Sequence, residues 1–526
     1  MGFFLGLDVG SSSIKACLLD GSTGSSIASS SSPKTEMDIL APKPGWAEQH
    51  PDTWWAHVRN TIEELRQKAP EALHRLEAIG ISYQMHGLVL LNRAGEVLRN
   101  AIIWCDSRAV PFGERAFREL GETFCLSHFL NSPGNFTASK LAWVKEQEPE
   151  IFKAVHKILL PGDYIAYRFT GEAVTTPSGL SEAILWDYEK EAVAQDLLDY
   201  FGFSPSILPA ILPTFSIQGK VTPEAAKELG IPSGIPVSYR AGDQPNNAFS
   251  LGVLEPGELA ATAGTSGVVY GIMDRPAYDP QSRVNTFVHV NHRLQSNLPL
   301  SARDTPQATP PKEGQKMPER GSPRLGVLLC VNGTGILYRW LKQNTLEGSA
   351  GGEYERMNAL ASKVPIGSEG LLVFPYGNGA ERTLGNRNLG AFFQNIDFNL
   401  HRREHLYRAS QEGIVFALQY GLEIMRSMGL QVKTVKAGYT NMFLSPIFRE
   451  AFTAVTGARL LLYQTDGAEG AARGAALGCG YYRSFEEAFR GLKKKGEETA
   501  DPSAQKSYRA AYATWRTKLE EALKNV

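Results

Sequence analysis

FFLGLDVGSSSIKACLLD, residues 3–20, sets two apolar runs on either side of a turn made of glycine and serine. The first run ends in an acid and a glycine, and the second, from Ile14 to Asp20, runs back. The stretch therefore reads as a β-hairpin, not as the strand-to-helix step of a P-loop. A second stretch of the same kind, ELAATAGTSGVVYGI, lies at 258–272, about half the chain away. Two such hairpins predict a duplicated domain in which each half lends one turn to a shared cleft.

Glycine and small hydroxyl residues let backbone N–H groups approach phosphate oxygens closely. Gly10, Ser11, Ser12 and Ser13 supply them in the first turn, and Gly264, Thr265 and Ser266 in the second. Lys15 is placed to neutralise phosphate charge. Asp8, at the end of a buried strand, is placed to hold a hydrated magnesium ion. Either turn alone reads equally well as a tight hairpin without a ligand. The pair favours a triphosphate gripped from two sides.

The 526 residues are 43% hydrophobic and 21% charged, with a net charge of -1. That length predicts two large domains. The charge balance argues against nucleic acid or a membrane surface as partner. MGFFLGLDVG has no basic region and no small-residue cleavage site, so it reads as a buried strand. Cys17, Cys105, Cys125, Cys330 and Cys479 are scattered and lack metal-ligand spacing. Reduced thiols in a cytoplasmic protein follow.

Between the hairpins, residues 52–66 predict a helix capped by Asp52, with Trp55, Val58, Ile62 and Leu65 on one face. AIGISYQ (78–84) reads as a strand and 88–98 as a hairpin. Further on, 404–428 predicts a helix, 432–438 a strand, 445–457 a helix and 458–465 a strand. The small-residue helix at 469–482 suits close approach of a ligand or another backbone. Residues 293–324, with six prolines, read as a surface insertion, and 484–526 as a charged, helical packing element.

Three further segments could carry chemistry. In Gly242-Asp243-Gln244-Pro245, a strand leads into Asp243 with a helix expected after it. An acid at a strand end facing a cleft can accept a proton from a sugar hydroxyl during phosphoryl transfer, although it could equally cap the helix. Gln84, Met85 and His86 follow a strand with polarity suited to hydroxyl recognition. Trp104 and Asp106, beside Arg108, either bind sugar or form a structural ion pair.

Taken together these segments resemble the FGGY carbohydrate kinases, and within them the xylulose kinases, in order from residue 3 to about 482. GLDVGSSSIKACLLD is similar to the first phosphate loop, PGWAEQHPDTWW to the segment after it, and ISYQMHG to the substrate segment. AIIWCDSRA, GNFTASKLAWVKEQEPEIF and ILLPGDYIAYRFTGE resemble the next blocks, AGDQPNNAFSLG the base segment, ATAGTSGVVYG the second phosphate loop, and FPYGNGAERTLGN the second signature region.

The resemblance implies an α/β fold of two ribonuclease-H-like domains of the actin-like ATPase type, with ATP and sugar in the cleft between them. It implies Asp243 as general base, Asp8 as the acid associated with Mg2+, and Met85 and His86 as sugar contacts. Gln84, Trp104 and Asp106 join the sugar set. Gly264, Thr265, Ser266, Gly335, Gly438 and Asn441 join Gly10 to Ser13 and Lys15 on the nucleotide. The expected domains are 1–253, 254–484 with the insertion at 293–324, and a helical extension at 485–526. Two places depart from the family pattern: Gln244-Pro245 follow the base, and Tyr439 stands in the adenosine loop Ala437-Gly438-Tyr439-Thr440-Asn441. The implied reaction is phosphorylation of D-xylulose. A kinase for ribulose, gluconate or glycerol, or a non-catalytic sensor of sugar and nucleotide, stays open beside it. The resemblance alone allows a homodimer.

Overall fold

The first hairpin closes as predicted, and its register sets Phe3 opposite Asp20 and Val9 opposite Ile14. The computed structural model describes residues 2–293, 323–346 and 351–525, so nearly all of the proline-rich stretch lies outside the described residues. The first sheet contains β1 (Phe3–Val9), β2 (Ile14–Asp20), β3 (Ser25–Ser32), β4 (Leu76–Tyr83) and β5 (Val237–Gly242) in the order β5-β4-β1-β2-β3. β4 and β5 run parallel to β1, while β2 and β3 form an antiparallel meander.

The second sheet contains β6 (Glu258–Ala263), β7 (Gly267–Met273), β8 (Asn285–Val288), β9 (Leu325–Val331), β10 (Thr434–Gly438), β11 (Arg459–Gln464) and β12 (Lys493–Glu498). Its order is β8-β9-β7-β6-β10-β11-β12. Within it, β9-β7-β6-β10-β11 repeats the first sheet: a hairpin, a third antiparallel strand, then two parallel strands. The duplication expected from two glycine-rich turns is thus present as topology.

Five helices matter for the site and its support: α1 (Pro51–Lys68), α2 (Asp243–Ser250), α3 (Arg403–Ser427), α4 (Gly467–Gly478) and α5 (Pro502–Leu523). α1 buries Trp54, Trp55, Val58, Ile62 and Leu65 on one face, as the spacing predicts. Its cap is not Asp52. The His50 ring accepts the Asp52 N–H, and the Asp52 carboxylate instead takes the Tyr164 hydroxyl at 2.5 Å and Arg168 at 2.6 Å. α3 buries Ile414, Leu418, Leu422 and Met425 in the second core. In the predicted 88–98 hairpin, Leu91 bridges Val97, but Val89–Leu91 pairs mainly with 157–159.

α2 and α4 join the two lobes. α2 leaves β5 of the first sheet and leads to β6 of the second. α4 follows β11 of the second sheet yet lies on the first. A Cβ on Gly6 would fall 1.8 Å from the Ala468 carbonyl, and one on Gly80 would fall 2.0 Å from that of Ala471. The small-residue stretch therefore serves backbone approach between helix and sheet. The two helices are also stitched together, since Asn246 Nδ2 donates to the Gly467 carbonyl at 2.9 Å and Ser250 Oγ to that of Asp466 at 2.7 Å. Gly80→Ala meets backbone atoms, which cannot rotate away. Urea unfolding should show a loss of about 3 kcal/mol or more.

The C-terminal segment is not wholly helical. Lys493–Glu498 forms β12, antiparallel to β11 at the sheet edge. A charged edge strand resists pairing with other chains, and its lack of an apolar period hides it in sequence. α5 packs onto the second lobe, where buried Trp515 donates its Nε1 hydrogen to the Val373 carbonyl at 2.8 Å. No helix among the described residues is long and apolar enough to cross a membrane.

Candidate active site

A cavity of about 540 Å³ opens between the ends of the two hairpins. Each hairpin ends in a turn that points out of its sheet, so the repeated topology brings the two turns to the same cleft. Asp8, Gly10, Ser11, Ser12, Ser13, Lys15, Gln84, Met85, His86, Trp104, Asp243 and Ser266 all line it. These residues span 259 positions of sequence, and the parallel order β1-β4-β5 is what gathers them. Asp8 is the last residue but one of β1, Gln84–His86 follow β4, and Asp243 follows β5.

Burial and the charge of Asp8 push the Asp243 carboxyl up to about 7, against hydrogen bonds from Gln244 that pull it down. An acid with that affinity for protons is poised to exchange one near neutrality. Gly242, just before it, has no room for a side chain, because a Cβ would stand 2.6 Å from Met85 Cγ. Asp8 is itself pushed up by burial, while Lys15 and a hydrogen bond from Ser82 at 2.9 Å pull it down and Asp466 pushes it further up.

His86 lies in the left-handed region, with φ of +62°. Its Nδ1 is 2.9 Å from the Glu182 carbonyl, which can only accept, so Nδ1 carries the hydrogen. Burial, then the nearby Lys140, pushes the imidazole down to about 3. It is neutral at physiological pH, and its Nε2 is left with a lone pair. Gln84 Oε1 and Asn135 Oδ1 are buried without a partner among the described residues. Both residues line the cavity, which is the arrangement a polyhydroxylated ligand would satisfy.

Trp104 is half exposed, and its Nε1 donates to Ser11 Oγ at 3.2 Å. Asp106 stands apart from this set. It is fully buried, accepts the Ala47 N–H at 2.6 Å, and pairs with Arg108 at 2.7 Å. Arg108 also reaches Glu48 at 2.7 Å and lies over the Trp46 ring. Asp106 is therefore engaged in a structural ion pair and does not line the cavity.

Of the nucleotide set, Gly264, Thr265, Gly335, Gly438 and Asn441 do not line this cavity. Gly264 and Thr265 accept backbone N–H bonds from Gly335 at 2.8 Å and Ile336 at 3.2 Å, and a Cβ on Gly264 would lie 3.5 Å from Asn441 Nδ2. They form a second group behind Ser266. Gly438 ends β10 beside them. Tyr439 is half exposed, within reach of the Arg449 guanidinium at 6.0 Å.

Asn135, Phe136, Asn285, Cys330, Glu381 and Arg382 also line the cavity, and residue-by-residue reading did not single them out. For Asn135, Phe136, Glu381 and Arg382 the sequence signal was there only as the stretches GNFTASKLAW and FPYGNGAERTLGN, and Asn285 and Cys330 lie outside both. Arg382 brings a guanidinium from the second lobe to 5.7 Å from the Phe136 ring, and that ring packs edge-on against His86 at 4.7 Å.

Two facing turns of phosphate-binding type, a base-like carboxylate and a polar pocket define a two-lobed phosphotransferase of the carbohydrate kinase class. Residues 3–250 match the N-terminal domain of the FGGY family of carbohydrate kinases. A xylulose kinase of Bacillus subtilis is 30% identical over 498 residues, which cover 93% of this chain and 90% of the relative. The xylulose kinase of Escherichia coli is 27% identical over 99% of each chain. The crystal structure of xylulose kinase from Rhodospirillum rubrum superposes with a TM-score of 0.83 at 25% identity, covering 99% of this chain and 98% of that one. The chain belongs to the FGGY family of carbohydrate kinases, and its two sheets are the paired domains of the actin-like fold.

Proposed function

We propose that the chain transfers the γ-phosphoryl group of ATP to the terminal hydroxyl of D-xylulose, giving D-xylulose 5-phosphate and ADP. The observation that carries this reading is Asp243 at the start of α2, in one cavity with Gln84, Met85 and His86 on one side and the first phosphate turn on the other. The sugar hydroxyl gives its proton to Asp243 as the O–P bond forms. The transition state is loose, so positioning and charge compensation carry most of the catalysis. Gly10 to Ser13, Lys15 and Gly264 to Ser266 hold the phosphates, and Gly335, Gly438 and Asn441 the nucleoside side. Sugar recognition falls to residues 1–253 and nucleotide binding to 254–484. The xylulose kinases among the relatives support the ketopentose.

Asp8 fits a magnesium site. It is a half-buried carboxylate pushed toward protonation, and Asp466 and Asp243 lie close enough to add to its charge. A divalent cation would relieve that repulsion. Among the described residues no group of three His, Cys, Asp or Glu gathers into a metal cage, so Asp8 would hold a largely hydrated ion. When bound, the ion neutralises charge on the phosphates. All five cysteines are free, which suits the cytoplasm, and a homodimer rests on the family resemblance alone.

The test is a panel of D-xylulose, D-ribulose, D-gluconate and glycerol with ATP and magnesium, read as ADP release and as phosphorylated product. D-xylulose should give the highest kcat/KM. A higher value for another acceptor would reassign the substrate. Sugar and ATP bound together with no phosphate transferred would make the chain a sensor.

A further inference from the structure

The left-handed backbone at His86 has a structural consequence one layer deeper. It turns the His86 carbonyl back into the first lobe, away from the strand ladder, where it needs a donor. That donor is Lys140, on the helix Thr137–Gln147. Its Nζ lies 2.7 Å from the His86 carbonyl oxygen and 3.0 Å from that of Ile103. Ile103 directly precedes Trp104, so one ammonium ties together the main chains of both segments that face the sugar pocket. The same helix adds Thr137 Oγ1, which donates to the Gly87 carbonyl at 3.3 Å. Lys140 is fully buried and is ion-paired to no carboxylate among the described residues. Burying an ammonium on two carbonyls alone is unfavourable unless those carbonyls would otherwise be orphaned.

We infer that Lys140 is a positioning residue for the acceptor sugar: it holds the turn at His86 so that, with Nδ1–H engaged on Glu182, the ring offers Nε2 as an acceptor to a sugar hydroxyl. The site then selects a hydroxyl donor at this point over a carbonyl or ether oxygen. Lys140 touches neither sugar nor nucleotide and acts only through His86 and Trp104. Burial lowers its own proton affinity to about 7, against the pull of Asp106, Cys105 and Glu182 nearby.

This inference rests on His86 being a sugar contact, and the experiment separates the two. Binding of D-xylulose and of ATP is measured by calorimetry for the full chain and for His86→Ala, Lys140→Met and Lys140→Ala. Lys140→Met keeps the side chain's length and removes its donors. It should weaken D-xylulose binding by about tenfold or more, as a misplaced contact does, and leave ATP affinity within about twofold. In Lys140→Ala, added propylammonium should restore part of the sugar affinity. The ring nitrogen signals of His86 should show one neutral tautomer in the parent chain and a mixture in Lys140→Met. Sugar binding unchanged in His86→Ala overturns the role of His86 itself. Sugar binding lost in His86→Ala but kept in Lys140→Met overturns the role of Lys140 alone. If Lys140→Met fails to fold, the amine series on Lys140→Ala decides, and no dependence on amine concentration counts against the inference.

Discussion

Asp243→Asn should lower kcat by about 10²- to 10⁴-fold, the usual contribution of a general base, while ATP affinity changes little. The amide keeps the size of the carboxylate and its place at the start of α2, so the loss reports the missing base. The same variant should be more stable than the parent at pH 8. The folded carboxyl titrates at about 7, above its ordinary value of 3.8. Between these two values the folded chain holds more protons than the unfolded one, so stability falls as pH rises from about 4 to 7 and stays reduced above. The amide has no such loss. Thermal unfolding should favour the variant by on the order of 2 kcal/mol at pH 8 and by nothing near pH 4, the figure being moderated by water in the open cleft. In the parent, kcat/KM should rise about tenfold per pH unit up to about pH 7 and then level, since only the ionised acid accepts a proton. An active, unstabilised Asp243→Asn would remove this residue from the mechanism.

The two hairpins were legible because apolar strands around a glycine turn are a local pattern. Asp8 could be picked out because it stands at the end of the first of those strands, and Asp243 because it directly follows the strand 237–242. The small residues of 469–482 announced close approach, although not that Gly6 and Gly80 were the backbones approached. What could not be read were partnerships over long separations. Asp106 looks like a pocket acid until Ala47 and Arg108 are seen to saturate it. Arg382, on a short turn of helix, and Asn285, on β8, reach the cavity from the second lobe, at separations from Gln84 that no local spacing encodes. Lys140 appears in its helix as one polar residue among Leu141, Trp143 and Val144, and only the turned carbonyl of His86 reveals its use. β12 escaped because KKKGEE has no apolar period, and His50 because histidine is an uncommon helix cap.

Asp8→Asn tests the metal and the coupling between the acids together. Asp8 is tightly framed: Ser82 donates to it at 2.9 Å, and a Cβ on Gly467 would lie 2.7 Å from its Oδ2. An amide fits that frame, so the fold should persist. The lost charge should cost about 10²- to 10³-fold in kcat, as removal of one transition-state electrostatic partner does, and raise the magnesium concentration needed for half-maximal rate. A second effect follows from the charge that Asp8 exerts on Asp243. Asp8 pushes that carboxyl up, so neutralising it lets Asp243 ionise at lower pH. The acid limb of the residual kcat/KM profile should therefore move below pH 7, opposite to the shift expected if the variant merely closed the cleft and buried Asp243 further. A limb that stays in place would show the two carboxylates to be electrostatically independent. An unchanged magnesium dependence would place the ion on other oxygens, with Asp8 left as an anchor for Ser82 and the first turn of α4.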